Sequence, residues 1–189
     1  MTRRYKLLSA AAFAALGLTL LGHGLYIQAK AQVAQILLER AFSQAVASGQ
    51  KIKPWSWADT WPVARLRVPR LGVEEIVLAS GSGQSLAFGP GHLAGTPEAG
   101  ERGTAVYAAH RDTHFSFLGE LRTGDEIRVT RADGTMYSYR VTGSDVVRWD
   151  APNIDAHAPG FHLALTTCWP LDGQFSGPLR YVVHAALAR

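Results

Sequence analysis

The sequence predicts a mainly β domain, a closed barrel or a sandwich with short helices, preceded by an N-terminal transmembrane helix. Three observations predict it: an apolar stretch behind a basic flank, a series of short strand-like runs separated by turn signals, and sparse helical periodicity beyond residue 60. A chain of 189 residues accommodates one compact core with appendages.

The first element follows Thr2-Arg3-Arg4-Tyr5-Lys6. From Leu7 to Ile27 the residues are mainly apolar, interrupted by small or weakly polar ones and by His23. A run of about 20 such residues crosses a bilayer as a helix, and a basic flank stays on the cytoplasmic side. Residues 1–27 therefore read as flank and single-pass anchor, which puts the remainder outside the cytoplasm. A cleaved signal peptide ending near Ala29-Lys30-Ala31 is the competing reading; the apolar part is long for one, and either reading exports the domain.

Residues 28–60 read as a juxtamembrane helix and a linker. Val33, Ile36, Leu37 and Phe42 recur at helical spacing among Gln32, Gln35, Glu39 and Arg40. The pattern breaks at Ser48-Gly49-Gln50 and again at Pro54-Trp55-Ser56-Trp57. The folded domain is then 61–189.

Within it, Leu66 and Val68 alternate with arginines, Glu75 to Ala79 forms a second run, and Thr104 to Ala109 a third. Glu126 to Thr130 and Met136 to Val141 flank Asp133-Gly134, a hairpin signal. Phe161 to Thr167 and Tyr181 to Ala186 complete the set. Many short strands in so short a stretch predict a barrel or sandwich. Short helical turns are expected around Phe115 to Leu121 and in Asp150 to Pro159.

Composition excludes several classes. Apolar and aromatic residues make up 47% and charged residues 18%, which fits neither a disordered polyelectrolyte nor a polytopic membrane protein. Much of the formal charge of +4 comes from Arg3, Arg4 and Lys6. The folded part carries no clustered stripe of Lys and Arg, so nothing points to nucleic acid. The histidines show no HxH or HExxH spacing that would suggest zinc.

Cys168 is the single cysteine. Alone, such a residue is more often a small buried hydrophobe than a nucleophile, so the case for chemistry rests on its neighbours. It ends the predicted strand Leu163-Ala164-Leu165-Thr166-Thr167-Cys168, where a rigid scaffold presents a side chain to a cleft. Period-two alternation puts Thr166 and Cys168 on one side and Leu163, Leu165 and Thr167 on the other. A reactive thiol needs a base or a nearby positive charge. His110 closes another predicted strand, Val106-Tyr107-Ala108-Ala109-His110, and Arg180 opens the last, where a guanidinium can donate to an oxyanion. Asp112 is favoured for a turn role over orienting His110. His114 is a rival base within the same block, and His92 reads as structural.

Leu165-Thr166-Thr167-Cys168 resembles the sortase signature Thr-Leu-X-Thr-Cys, and Pro178-Leu179-Arg180-Tyr181-Val182-Val183 its arginine-bearing strand. Ala109-His110-Arg111-Asp112-Thr113, continuing to Phe115, Leu118, Leu121 and Gly124-Asp125, resembles the sortase histidine block, as Gly89-Pro90-Gly91-His92 with Gly95-Thr96 resembles the segment upstream. The resemblance runs from about residue 63 to the C-terminus. Two positions depart: Ala164 stands where Thr is usual and Ala109 where Gly commonly precedes the histidine. Cys168-Trp169-Pro170 and the short chain look most like the sortases of Gram-negative bacteria.

The resemblance implies a closed sortase-like β-barrel and a cysteine transpeptidase. Cys168 would attack the carbonyl after the threonine of an LPXTG-like sorting signal, His110 would protonate the leaving amine, and Arg180 would stabilise the reacting carbonyl, with Thr167 at the substrate. An amine acceptor, a cell-wall precursor or a surface-protein amine, would resolve the thioester without metal or organic cofactor. The implied place is the bacterial inner (cytoplasmic) membrane, with the catalytic domain on its periplasmic or extracellular side. A tethered β-barrel binding module and a cysteine hydrolase using water as acceptor are the alternatives.

Overall fold

The computed structural model describes residues 2–188 except 174 and 176; the side chains of residues 2–4 and 6–12 fall outside the description. The chain divides into two compact units, Met1–Ile36 and Leu37–Arg189. Helix α1 (Thr2–Ser48) runs through both.

The expected anchor, Leu7 to Ile27, lies within α1, and the side chains of residues 7–12 are outside the description. Among the described residues no helix is long and apolar enough to cross a membrane, so the transmembrane helix expected from the sequence is not supported. From Phe13 the run carries Gly17, Gly22, His23 and Gly24 and gives way to Gln28 and Lys30. That described stretch falls short of the roughly 20 apolar residues a bilayer requires.

In the second unit the last turns of α1 are amphipathic. Leu38, Ala41, Phe42 and Ala45 are buried, the spacing that lays one helix face on a core. Leu38 and Phe42 pack with Ile76 and Leu78. Glu39 forms an ion pair with Arg65, whose guanidinium lies 4.8 Å from the Phe42 ring centre.

The strands are β1 (Pro62–Val68), β2 (Val73–Leu78), β3 (Gly91–His92), β4 (Gly103–Ala108), β5 (Glu126–Arg131), β6 (Met136–Arg148), β7 (Phe161–Cys168) and β8 (Leu179–Leu187). They close into a barrel in the order β1-β2-β3-β4-β7-β8-β6-β5, with β5 pairing back onto β1. Closure is thinnest at β3, which joins β2 through the single pair Leu78–Gly91. The interior holds Leu66, Val68, Ile127, Val129, Tyr139, Leu163 and Leu165, all fully buried.

The Asp133-Gly134 hairpin forms as the sequence predicts. Gly134 takes a φ of 84°, a left-handed conformation that favours glycine, and the Thr135 N–H donates to the Asp133 carboxylate at 2.8 Å. Two features differ from the sequence expectation. β6 continues past Val141 to Arg148, because a bulge between Val141 and Gly143 restores its pairing with β8. Strand β3 is too short to leave a periodicity; Gly91 pairs with both Leu78 and Ala108, and a Cβ there would lie 2.4 Å from the Ser80 carbonyl oxygen.

The segment 150–159 holds the expected turn, closed by the Ala158 N–H onto the Asp155 carbonyl at 3.2 Å. Its carbonyls are taken by the start of β4: the Thr104 N–H donates to Ala156 at 3.1 Å and the Thr104 hydroxyl to Asp155 at 2.8 Å. The Phe115 to Leu121 turn is a short 3₁₀ helix, Ser116–Glu120.

Candidate active site

Strand β7 is the centre of the site. Its burial alternates as the sequence predicts, with Leu163, Leu165 and Thr167 buried, and Thr166 and Cys168 partly accessible. Leu163 and Leu165 lie in the barrel core, so the even-numbered residues face outward. Ala164 joins Val106 and Val182 in an apolar floor on that outer face, edged by Leu93, Val147 and Ile154.

Two pairings bring the other candidates to the end of β7. Antiparallel β8 sets Arg180 directly opposite Cys168. Parallel β4 pairs Ala108 with Thr166, and the Ala109 N–H donates to the Thr166 carbonyl at 3.2 Å. His110 follows two residues after Ala108, as Cys168 follows two after Thr166, so both stand just past the same end of the β4–β7 ladder. His110 is exposed, and Cys168 and Arg180 are half-buried. Sequence positions 110, 168 and 180 thus share one rim of the barrel.

The guanidinium of Arg180 is held by its own loop. Its Nη1 donates to the carbonyls of Gly177 at 2.9 Å and Leu179 at 2.8 Å. Nε and Nη2 have no partner among the described residues, which leaves donors for an incoming carbonyl oxygen.

Thr167, the residue expected at the substrate, follows the inner side of β7. It is buried, and its hydroxyl donates to the Ala109 carbonyl at 2.7 Å. The alternation that turns Cys168 outward turns Thr167 inward, so its hydroxyl joins the cysteine strand to the residue before His110. The Ala164 and Ala109 departures both sit in packed surroundings, where a methyl fills space without needing a partner.

The rival histidines have other partners. His114 Nδ1 lies 2.8 Å from Glu75 Oε2. His92 Nε2 lies 2.9 Å from the Pro97 carbonyl and 3.0 Å from the Thr96 hydroxyl, with its ring edge-on to Tyr107. Asp112 pairs with Arg111 at 3.4 Å, and the Phe115 N–H closes a turn onto the His110 carbonyl at 3.1 Å.

One residue the sequence reading passed over is Arg111. It is buried, and it donates to the carbonyls of Pro170 at 2.8 Å and Phe175 at 3.2 Å, in the loop after Cys168. The signal was present: Ala105, Tyr107 and Ala109 face inward, and the same alternation carries Arg111 inward.

Known proteins show the same arrangement of chain. The sortase domain family profile matches residues 66–188. Among solved structures, sortase E from Streptomyces avermitilis is 33% identical, with a TM-score of 0.57 over 68% of this chain and 88% of that one. A Clostridium perfringens sortase D5 transpeptidase, 20% identical, shares the fold with a TM-score of 0.66 over 84% of this chain and 99% of that one. Sortase D of Bacillus subtilis (strain 168) is 29% identical over 120 residues, which span 63% of this chain and 60% of that relative's length. With a domain match over most of its length and a barrel that sets Cys168, Arg180 and the histidine block at one rim, the chain belongs to the sortase family.

Proposed function

We propose that this chain is a cysteine transpeptidase that cleaves an LPXTG-like sorting signal after threonine and transfers the acyl group to an amine. The observation that carries the proposal is the register of the two ladders beside β7, with Arg180 paired to Cys168 and His110 two residues beyond the Ala108–Thr166 pair. The apolar floor of Val106, Ala164 and Val182 supplies a surface along which an extended peptide reaches the thiol.

In the proposed reaction the Cys168 thiolate adds to the threonine carbonyl carbon, and the carbonyl electrons move onto oxygen. Arg180 donates hydrogen bonds to that oxyanion, an interaction worth about 3 to 4 kcal/mol in acyl-transfer sites. As the C–N bond breaks, His110 gives its proton to the departing amine. The thioester then reacts with a second amine, whose proton returns to His110 as the new amide forms and the thiolate leaves. The acceptor class is a cell-wall precursor or a surface-protein amine.

The product distribution tests this reading. An LPXTG-type peptide incubated with an added amine should yield the ligated peptide, with little free acid. Free acid alone would identify a hydrolase, and neither product would favour a binding module.

The proposed setting is the bacterial inner membrane, with the barrel on its periplasmic or extracellular side. The basic Arg3-Arg4-Lys6 flank ahead of an apolar stretch supports it, and protease accessibility of the barrel in intact spheroplasts tests it. Kinship with the sortases of Gram-negative bacteria is likewise proposed, on Cys168-Trp169-Pro170.

A further inference from the structure

Arg111 is a buried charge to which the proposed chemistry gives no part. Only 5% of it is exposed. Its one ion-pair partner among the described residues is Asp112, 3.4 Å from Nε and itself 73% exposed. Removing a guanidinium from water is costly unless good hydrogen bonds replace the hydration. Here they come from two neutral main-chain carbonyls, Pro170 at 2.8 Å from Nη1 and Phe175 at 3.2 Å from Nη2. Both acceptors belong to the loop that leaves Cys168, and the donor directly follows His110.

A second bond completes the arrangement. The Thr167 hydroxyl donates to the Ala109 carbonyl at 2.7 Å. Residues 109 and 111, on either side of His110, are therefore tied to residues 167 and 170, on either side of Cys168. The loop is also packed onto the guanidinium: a Cβ on Gly173 would lie 3.1 Å from Arg111 Nη1 and 2.7 Å from Pro170 Cγ.

The geometry points to Arg111 as a positioning residue, whose guanidinium clamps the loop after Cys168 to the segment carrying His110 and so fixes the thiol against the imidazole. The planar fork reaches two carbonyls at once; an ammonium on a flexible stem does not offer that pair of directions. The kinetic consequence rests on the transpeptidase reading, whereas the alignment itself does not. Misplacement of reacting groups by about 1 Å lowers rates by about 10²-fold, so loss of the clamp should appear in kcat before KM.

The test uses the full chain and four variants, Arg111→Lys, Arg111→Gln, Gly173→Ala and His110→Gln, each checked for the wild-type near-UV circular dichroism. Without peptide, iodoacetamide alkylation of Cys168 at one fixed pH reports the thiol–imidazole pairing. Arg111→Gln should slow alkylation towards the rate of His110→Gln, and Arg111→Lys should restore it in part. With an LPXTG-type peptide, Arg111→Gln should lower kcat by about 10²-fold with little change in KM. Should Arg111→Gln fail to fold, Gly173→Ala, which keeps the arginine and displaces the loop, carries the same expectations.

Wild-type alkylation and kcat in a folded Arg111→Gln variant, or in Gly173→Ala where only that one folds, would overturn the proposal. So would equal alkylation of the wild type and His110→Gln. A wild-type protein that converts no sorting peptide removes the transpeptidase reading alone, and the alkylation series still decides the role of Arg111.

Discussion

The Thr167 hydroxyl donates a buried 2.7 Å hydrogen bond to the Ala109 carbonyl, joining the strand that ends in Cys168 to the residue before His110. Thr167→Val keeps the shape and removes the donor, leaving the carbonyl unpaired in the core. A cost of about 1 to 3 kcal/mol is expected, read as a lower urea midpoint with an unchanged m-value. Thr167→Ser, which retains the hydroxyl, should recover most of the difference.

Arg180 is anchored through Nη1 to Gly177 and Leu179, and in the proposed reaction its other donors serve the oxyanion. Arg180→Ala should lower kcat by about 10² to 10³-fold, and the stability of the barrel should change little because the side chain is only half-buried. Arg180→Lys should recover only part of the activity, since an ammonium cannot both hold the loop and present a planar fork. Single-turnover acylation of Cys168 is the measurement that isolates this step.

The acid side of the stability profile has identifiable sources. The Arg128 guanidinium first, and the Ser138 hydroxyl second, hold the Glu126 carboxyl down at about 2. Arg70 holds Asp125 below its usual range through hydrogen bonds of 2.6 Å to both carboxylate oxygens. A carboxyl whose folded pKa is depressed binds its proton more readily in the unfolded chain. Its contribution is therefore complete above the unfolded value, about 4, and fades as pH falls towards about 2. Ser138→Ala should flatten the dependence of the urea midpoint on pH across that window.

On the alkaline side, burial pushes the Tyr139 phenol up to about 12. Its hydroxyl accepts the Gly100 N–H at 2.7 Å. Because the folded pKa is raised, stability should fall as pH rises from about 10, where the unfolded phenol ionises, towards about 12. Tyr139→Phe should abolish that part of the decline. At neutral pH it should cost about 1 to 3 kcal/mol by stranding the Gly100 donor, as denaturant titration will measure.

Much of the site was legible because strand alternation is a strict local rule. The period-two pattern of Leu163 to Cys168 separates the thiol from Thr167 onto opposite sides of the strand, as the burial alternation does, and Asp133-Gly134 marks its hairpin. What the sequence did not reveal depends on distant partners. Nothing local announces that β4 and β7 run parallel, which is what brings the end of β4 before His110 beside the end of β7 at Cys168. The turn in the Asp150 to Pro159 segment is read locally, whereas the bonds of its Asp155 and Ala156 carbonyls to Thr104 of β4 are not. The partner of the Thr167 hydroxyl is equally hidden from local pattern, since its acceptor lies 58 positions away in the chain. Hydropathy alone extended a membrane span through Gly22-His23-Gly24, where the described helix lacks the apolar length to cross.

The most direct test of the account is the intact mass of the full chain after brief incubation with an LPXTG-type peptide. A covalent adduct equal to the peptide cleaved after threonine should form on Cys168, be absent from Cys168→Ala, and disappear on addition of an amine as the ligated peptide is produced. Ligated product from Cys168→Ala, or product from the wild type without passage through that adduct under rapid quenching, would contradict it.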